Sequence, residues 1–581
     1  MPNSPQPASD AGFVAPAAAV GELIGRAIVD AFGDAHADAP PVLRPSTHAD
    51  YQANGALPLA KIVGQKPREV ADAIVANLDL DGIATVEIAG PGFLNITLDD
   101  AYLASAVTAL VADSRLGVPT PATLETVVAD YSSPTVTKEM HVGHLRTTII
   151  GDALVRTLDF VGHRTVRQNH YGDWGTSFGM LIEHLDGART RGEVSLDDLN
   201  EFYRAANDRF TTDADFATRA RSRVVALQSG DANTLAMWRE FVSEAHRHNV
   251  AVYDRLGVLL TDEDLRPESA YNDTLEEVAA DLEQSGVAVV DQGALCVFIE
   301  GYEAPLIIRK SDGGYTYGTT DLAAVRYRVD ALGATRLLYV VDARQSQHLT
   351  QVFRAAERAG WLAPPARAEH VVFGSVLDAS GRPLKSRSGD SPKLTDLLDE
   401  AVERAAAIVA EKNPDLPEAE RAAVARAVGI GAIKYSDLSN DRVKDYVFDF
   451  ARMLAFEGNT GPYLQYAHAR IRSLFRRAEV DAVVSLDAAV TISEPAERAL
   501  ALTLFGFGDA VLAVADASAP HKLCTYLFDV AQAFTTFYEA CPVLRAESDE
   551  RRASRLVLCA ATAAILERGL SLLGIEAPPR M

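Results

Sequence analysis

Cysteine is scarce: four in 581 residues, Cys296, Cys524, Cys541 and Cys559. They are widely spaced and none sits in a CxxC pair, which argues against a disulfide framework or a zinc site and fits a reducing cytoplasm. No uncharged run approaches the roughly 20 apolar residues that a membrane helix needs. The first 25 residues carry no base and include Asp10, so they do not read as a secretory signal. Positive charge is in deficit, with 55 Lys and Arg against 80 Asp and Glu and a net charge of −25. A mean field of that sign repels phosphate and opposes nonspecific coating of nucleic acid, although a local basic groove remains compatible with it. Also missing are a GxxxxGK(S/T) phosphate loop and a GxGxxG fingerprint; Gly172-Asp173-Trp174-Gly175 has the wrong spacing. No internal repeat is evident.

What is present is ordinary globular composition, 48% apolar and 23% charged, in a chain long enough for three or four domains. Residues 1–20 are Ala/Pro/Ser-rich and read as a flexible tail. Helical and strand-like patterns then alternate over 21–115, an α+β module closed by the linker Leu116-Gly-Val-Pro-Thr-Pro-Ala. From 121 to 395 the texture is βα: strands at Thr126–Tyr131, Thr165–Asn169, Arg336–Asp342 and Glu369–Phe373, and a long helix from about His141 to Phe160. Repeated βα units predict a doubly wound parallel sheet, with an insertion whose charged helical stretch spans about 185–266 and whose full extent reaches about 300. Residues 396–581 are helix-patterned almost throughout and predict a separate all-α domain.

Two segments point to phosphate chemistry. His141-Val142-Gly143-His144 follows a strand and a Ser-Ser-Pro turn and opens a helix. The histidines share one face, Gly143 admits a ligand close to the backbone, and the helix N-terminus offers free N–H groups to an anion. Read alone, the pair is also compatible with metal ligands or with plain surface residues. Pro383-Leu384-Lys385-Ser386-Arg387-Ser388-Gly389 follows Phe373-Gly374-Ser375. Such a cationic loop can neutralise a polyphosphate, or be only a solvated loop. Asp321, after Thr319-Thr320 and ahead of an Ala-rich helix, reads as a helix-start acid. In 461–478, Tyr463, Tyr466, Arg470, Arg472, Arg476 and Arg477 share one stretch, and no acid falls between Gly458 and Ala478.

The block Asp130-Tyr-Ser-Ser-Pro-Thr-Val-Thr-Lys-Glu-Met-His-Val-Gly-His-Leu-Arg-Thr-Thr-Ile-Ile-Gly151 resembles the signature of class I aminoacyl-tRNA synthetases, and among them the arginyl-tRNA synthetase family. The likeness continues through Asn169–Gly179, Tyr315–Ala324, Asp342–His348, Leu454–Tyr463 and Leu573–Met581, and in the N-terminal module through His48–Asn54 and Ala89–Phe93. It implies a Rossmann-like class I catalytic domain, an additional N-terminal tRNA-binding domain and a helical anticodon-binding domain. It also implies a two-step reaction: L-arginine and ATP form arginyl-adenylate and pyrophosphate, and arginine then passes to tRNA(Arg). ATP would be a substrate, with Mg2+ bound through the nucleotide and no metal held by the protein; a cytoplasmic monomer is expected.

Residue by residue, the resemblance implies ATP contacts at His141, Gly143, His144, Phe373, Gly374, Lys385, Ser386 and Arg387. Lys138 stands where the family compensates for a lysine missing from its KMSKS loop, here Leu384-Lys-Ser-Arg-Ser-Gly389; with His141, His144 and Lys385 it makes up the expected catalytic set. Asp130, Ser132, Thr135, Tyr317, Asp321 and Gln345 are the implied arginine contacts, Asp321 facing the guanidinium, whose planar fork calls for a carboxylate. Thr135 stands where relatives often have Asn. Tyr51, Asn54, Tyr463, Tyr466, Arg470 and Arg476 are the implied tRNA contacts, while Phe534, Phe537 and Tyr538 read as core.

Overall fold

The structure is a computed structural model that describes residues 13–191, 198–384, 392–479 and 488–581. Its first helix, Pro16–Phe32, begins within the expected tail, because Pro16 at the first turn supplies a preset φ and has no N–H to leave unpaired. Residues 16–20 are therefore helical, not frayed. This helix, Pro67–Ala76 and Asp100–Ala112 accompany a four-stranded antiparallel sheet, ordered Leu43–Pro45, Tyr51–Ala53, Phe93–Leu98, Ala84–Ala89.

The catalytic sheet is parallel, ordered Arg367–His370, Arg336–Tyr339, Thr126–Asp130, Arg164–Gln168. Val127, Val128, Ala129, Leu337 and Leu338 are all buried, as a sheet covered on both faces requires. The chain leaves Thr126–Asp130 through the helix Val142–Val161 and adds Arg164–Gln168 on one side; Arg336–Tyr339 is added on the other. The order reverses between Thr126–Asp130 and Arg336–Tyr339, and the carboxyl ends of those two strands frame the crevice where doubly wound sheets bind ligands. The strand expected at Glu369–Phe373 stops at His370, and Phe373 makes only an isolated bridge to Asp342.

The helices Thr176–Arg191, Leu199–Thr212, Ala214–Gln228 and Ala232–Leu256 pack around their own core, including Phe178, Phe202, Phe216 and Phe241. A three-stranded antiparallel sheet, Val289–Asp291, Ala294–Val297 and Leu306–Arg309, was not foreseen from the sequence. Its strands are three or four residues long, too short for a period of two to register.

The C-terminal region is helical as expected. The helical pattern does not run unbroken: Pro495–Leu504 and Phe507–Ala517 are separate helices parted at Phe505-Gly506, where a Cβ on Gly506 would lie 3.1 Å from the Tyr526 ring. By length and composition alone Pro495–Ala517 could cross a membrane, but it carries Glu497, Arg498, Asp509 and Asp516, and half of its most apolar window is buried inside the protein. Two short parallel strands, Val376–Leu377 and Tyr446–Val447, tie this region to the catalytic domain.

Candidate active site

The chain turns sharply after Asp130: Ser132 and Ser133 both adopt left-handed backbone, φ 67° and 42°. Two consecutive non-glycine residues in this region are strained, and surrounding bonds hold them there. The Ser132 N–H donates to Thr147 Oγ1 at 3.0 Å and that of Ser133 to Asn169 Oδ1 at 3.1 Å, while Ser133 Oγ donates to Asp130 Oδ1 at 2.6 Å. The turn delivers the chain to His141, the N-cap of the helix Val142–Val161.

His141 Nδ1 accepts the Gly143 N–H at 3.0 Å, and His144 Nδ1 accepts the His141 N–H at 3.1 Å. Each Nδ1 must offer a lone pair, so each neutral ring carries its proton on Nε2. Burial lowers the pKa of both, to about 3 for His144, where the neighbouring His141 adds to it; for His141 the cations Lys138 and Arg344 add to it. The rings are 4.1 Å apart between centroids. The result is a pair of neutral N–H donors at a helix N-terminus. Gly143 is required by packing, since a Cβ there would lie 2.7 Å from His141 Cε1.

Lys138 is exposed, with its ammonium 4.2 Å from the centre of the Tyr203 ring. Phe373 is buried, 5.7 Å under the Arg146 guanidinium. Gly374 packs where a Cβ would meet Lys444 and Asp445 at 2.6–2.7 Å, and its N–H donates to Arg442 O. Lys385, Ser386 and Arg387 lie outside the described residues.

A second cluster forms at the start of the helix Tyr317–Asp330. The Asp321 carboxylate accepts from His348 Nε2 at 2.5 Å and has His170 Nε2 at 3.8 Å. Burial on its own raises this carboxyl, but His348, His170 and Arg328 outweigh it and hold it below the usual range. Tyr317 is exposed with its ring 4.6 Å from that of His348. Glu268 was missed from sequence. Burial, then the charges of Asp321 and Asp173, push its carboxyl up to about 8. A carboxyl raised by its acidic neighbours ionises more readily when a cation enters beside it. His348 and His170 lay inside the quoted sequence blocks, but nothing in their spacing marked them; only the fold brings them to Asp321.

Ser132 is 3% exposed, and its hydroxyl is shared with Tyr253 at 2.8 Å and Thr148 at 3.0 Å, so it supports the turn. Asp130 stands at the strand end, but it is buried and answered by Arg328 at 2.7 Å and by Ser133. Thr135, bridged to Gly172, and Gln345 are both exposed. Tyr51 is 7% exposed within its sheet. Asn54 is half-buried, with Oδ1 enclosed and without a hydrogen-bond partner among the described residues. In Gly461–Ala478, Tyr466 is 43% exposed, Arg470 lies 4.0 Å from the centre of the Tyr538 ring, Arg476 donates to Pro579 O at 2.9 Å, and Tyr463 is half-buried with its hydroxyl 3.3 Å from Thr535 Oγ1.

Comparison with known proteins agrees across the whole chain. Residues 106–450 match the family model for the class I (R) tRNA synthetase catalytic domain, 464–581 the DALR anticodon binding domain, and 18–98 the arginyl tRNA synthetase N terminal domain. An arginine–tRNA ligase of Thermobifida fusca is 54% identical over 578 residues, covering 97% of this chain and all of that one. One of Edwardsiella ictaluri is 50% identical over 575 residues, covering 97% and 99%. Among solved structures, the arginyl-tRNA synthetase of Thermus thermophilus is similar with TM-score 0.80 and 29% identity over 97% of this chain and 99% of that one. That of Plasmodium falciparum gives 0.82 and 26% over 98% and 100%.

Proposed function

The chain belongs to the arginyl-tRNA synthetase family, and we propose that the His141–His144 pair with Lys138 binds the ATP phosphates while Asp321 and Glu268 hold the arginine guanidinium. The reaction itself follows from family membership: ATP activates L-arginine as arginyl-adenylate, and arginine is transferred to tRNA(Arg). The observation that carries the site assignment is the tautomer of the two imidazoles. Neutral Nε2–H donors at a helix N-terminus stabilise charge developing on the α-phosphate, and they neither take nor give up a proton. No general base is required, because the substrate carboxylate is already the nucleophile. Positioning and charge neutralisation therefore supply the acceleration.

At the other end of the substrate, the guanidinium meets Asp321, oriented by His348, and Glu268, which ionises as the cation enters. Tyr317, Thr135 and Gln345, all exposed, contribute the rim. Asp130 is assigned a positioning role, since through Ser133 it holds the strained turn that presents the site. Phe373 and Gly374 are assigned to the adenosine side, and Lys385, Ser386 and Arg387 keep the phosphate role that the resemblance implies. Mg2+ is assigned to the nucleotide phosphates, which hold it and offset their charge. Residues 21–115 and 396–581 are assigned to tRNA, the latter through Tyr463, Tyr466, Arg470 and Arg476 at the anticodon and the former through Asn54. The protein is assigned to the cytoplasm, as a monomer. The test is pyrophosphate exchange with tRNA(Arg) present: Lys138→Ala should raise the KM for ATP and leave that for arginine unchanged. Full activity of this variant would remove Lys138 from the site.

A further inference from the structure

Lys138 has an uncommon setting for a cation assigned to phosphate. Its ammonium lies over Tyr203, and among the described residues no carboxylate pairs with it. Yet the residue next to it is an acid. Glu139 is held elsewhere: its Oε1 accepts from Lys393 Nζ at 3.1 Å, and the same ammonium donates to Asp198 Oδ2 at 3.1 Å. Asp198 is in turn the N-cap of the helix Leu199–Thr212 that carries Tyr203, accepting from the Glu201 N–H at 2.9 Å. The Glu139 side chain is only 11% exposed, so its charge is poorly screened by water and needs this partner.

The backbone explains why Lys393 reaches Glu139. His141 and Lys393 form an antiparallel bridge, with Val142 N–H donating to Pro392 O at 3.2 Å and Leu394 N–H to Met140 O at 3.0 Å. Residues opposite one another across such a bridge project to the same face, and the residue two before His141 is a diagonal neighbour on that face. Glu139 is that neighbour. Its own N–H donates to Asn200 Oδ1 at 3.2 Å, which holds the segment from the other side.

We propose that Lys393 is a positioning residue of the nucleotide site, which sequesters Glu139 and Asp198 so that Lys138 stays free of carboxylates and available to the ATP phosphates. This rests on the assignment of Lys138 to those phosphates. Without Lys393, the unpaired Glu139 carboxylate takes the neighbouring ammonium or faces the triphosphate directly, and either outcome weakens ATP binding.

The experiment is ATP–pyrophosphate exchange by the full-length enzyme with tRNA(Arg), for Lys393→Met, Lys393→Arg, Glu139→Gln, the double variant Lys393→Met/Glu139→Gln, and Lys138→Ala, with thermal melting of each. Lys393→Met should raise the KM for ATP about tenfold, equivalent to about 1.4 kcal/mol of binding. The KM for arginine should be unchanged, and Lys393→Arg should restore the wild-type value. The decisive arm is the double variant: removing the Glu139 charge should bring the KM for ATP back to within about threefold of wild type, as coupling between contacting residues requires. A double variant no better than Lys393→Met, with melting intact, overturns the proposal and leaves Lys393 a scaffold contact. An unchanged KM for ATP in Lys393→Met overturns it as well. If Lys138→Ala itself leaves the KM for ATP unchanged, it is the underlying site assignment that fails.

Discussion

Replacing Asp321 by Asn separates guanidinium recognition from everything else at the site. The change is isosteric and keeps an oxygen that can accept from His348 Nε2, now 2.5 Å away, so the local geometry should survive. What it removes is the charge. Truncating one member of a buried, hydrogen-bonded charge pair costs about 2–5 kcal/mol, and each 1.4 kcal/mol is about tenfold in binding. The Asp321 side chain is 19% exposed, which places the loss toward the lower end, about thirty- to a hundredfold in the KM for arginine. Glu268 limits the damage. Burial is the main cause of its raised pKa and Asp321 the next, so in the variant its carboxyl ionises more readily and takes over part of the guanidinium. With ATP at the His141 end, as proposed, its KM should move less than about twofold, as for a site with no shared partners. Pyrophosphate exchange with tRNA(Arg) present, titrated separately in arginine and ATP, reads both constants. Equal increases in the two would refute the assignment.

Further outcomes can be checked at the same bench. With Glu268 raised to about 8 and the ionised form needed for the guanidinium, kcat/KM for arginine should climb with pH and level off above about 8; Glu268→Gln should flatten that rise. In the arginine-free protein the same carboxyl keeps a proton that the unfolded chain releases above its ordinary 4.5, so stability should fall as pH rises from there through 8, and less so in Glu268→Gln; melting curves across pH report it. Because burial keeps His144 near 3 and lowers His141, the KM for ATP should show no imidazole inflection between about pH 6.5 and 8; an inflection near 6.5 would count against neutral donors. Gly143→Ala forces the His141 ring off its cap bond and should slow activation about a hundredfold in single-turnover assays, the loss expected for one preorganised donor. Tyr466→Ala should weaken tRNA(Arg) binding about tenfold, a stacking-sized loss, in a filter-binding titration.

How much of this was legible in the sequence depended on whether the signal was local. The helix beginning at His141 and the strand before it could be read directly, because an apolar run, a turn and a helix start follow one another within thirty residues. The parallel sheet followed from repeated βα units. The resemblance picked out Asp321 but not the groups that tune it. His348 and Glu268 lie 27 and 53 residues away, one on the next helix and one in a 3-10 turn beyond the inserted helices. No spacing rule connects such positions, and only the tertiary fold does so. Burial was equally illegible: the Ser132 hydroxyl is taken up by Tyr253 and Thr148, and Tyr51 is buried within its sheet, and neither could be read from the sequence.

The net charge of −25 raises the question of how such a surface meets RNA, and the helix Gly461–Ala478 suggests the answer. A cation paired with a carboxylate contributes little field beyond the pair, whereas one resting on a ring or a carbonyl keeps its charge. Arg470 is placed by the Tyr538 ring and Arg476 by the Pro579 carbonyl. Both are thus oriented by neutral groups, and their charge remains available to phosphate. The inserted helices are built differently: Arg219 and Arg223 both pair with Glu183, and Arg223 also pairs with Asp186. Counting bases therefore misleads, because what matters to a phosphate is whether the partner of each base is charged. An acid added one helical turn before Tyr538, by Thr535→Glu against Tyr463, should therefore lower tRNA(Arg) affinity and do so less at high salt, while the KM values for ATP and arginine stay as they are. A salt-independent loss would mean that the substitution acts through packing, and the electrostatic account of this helix would fail.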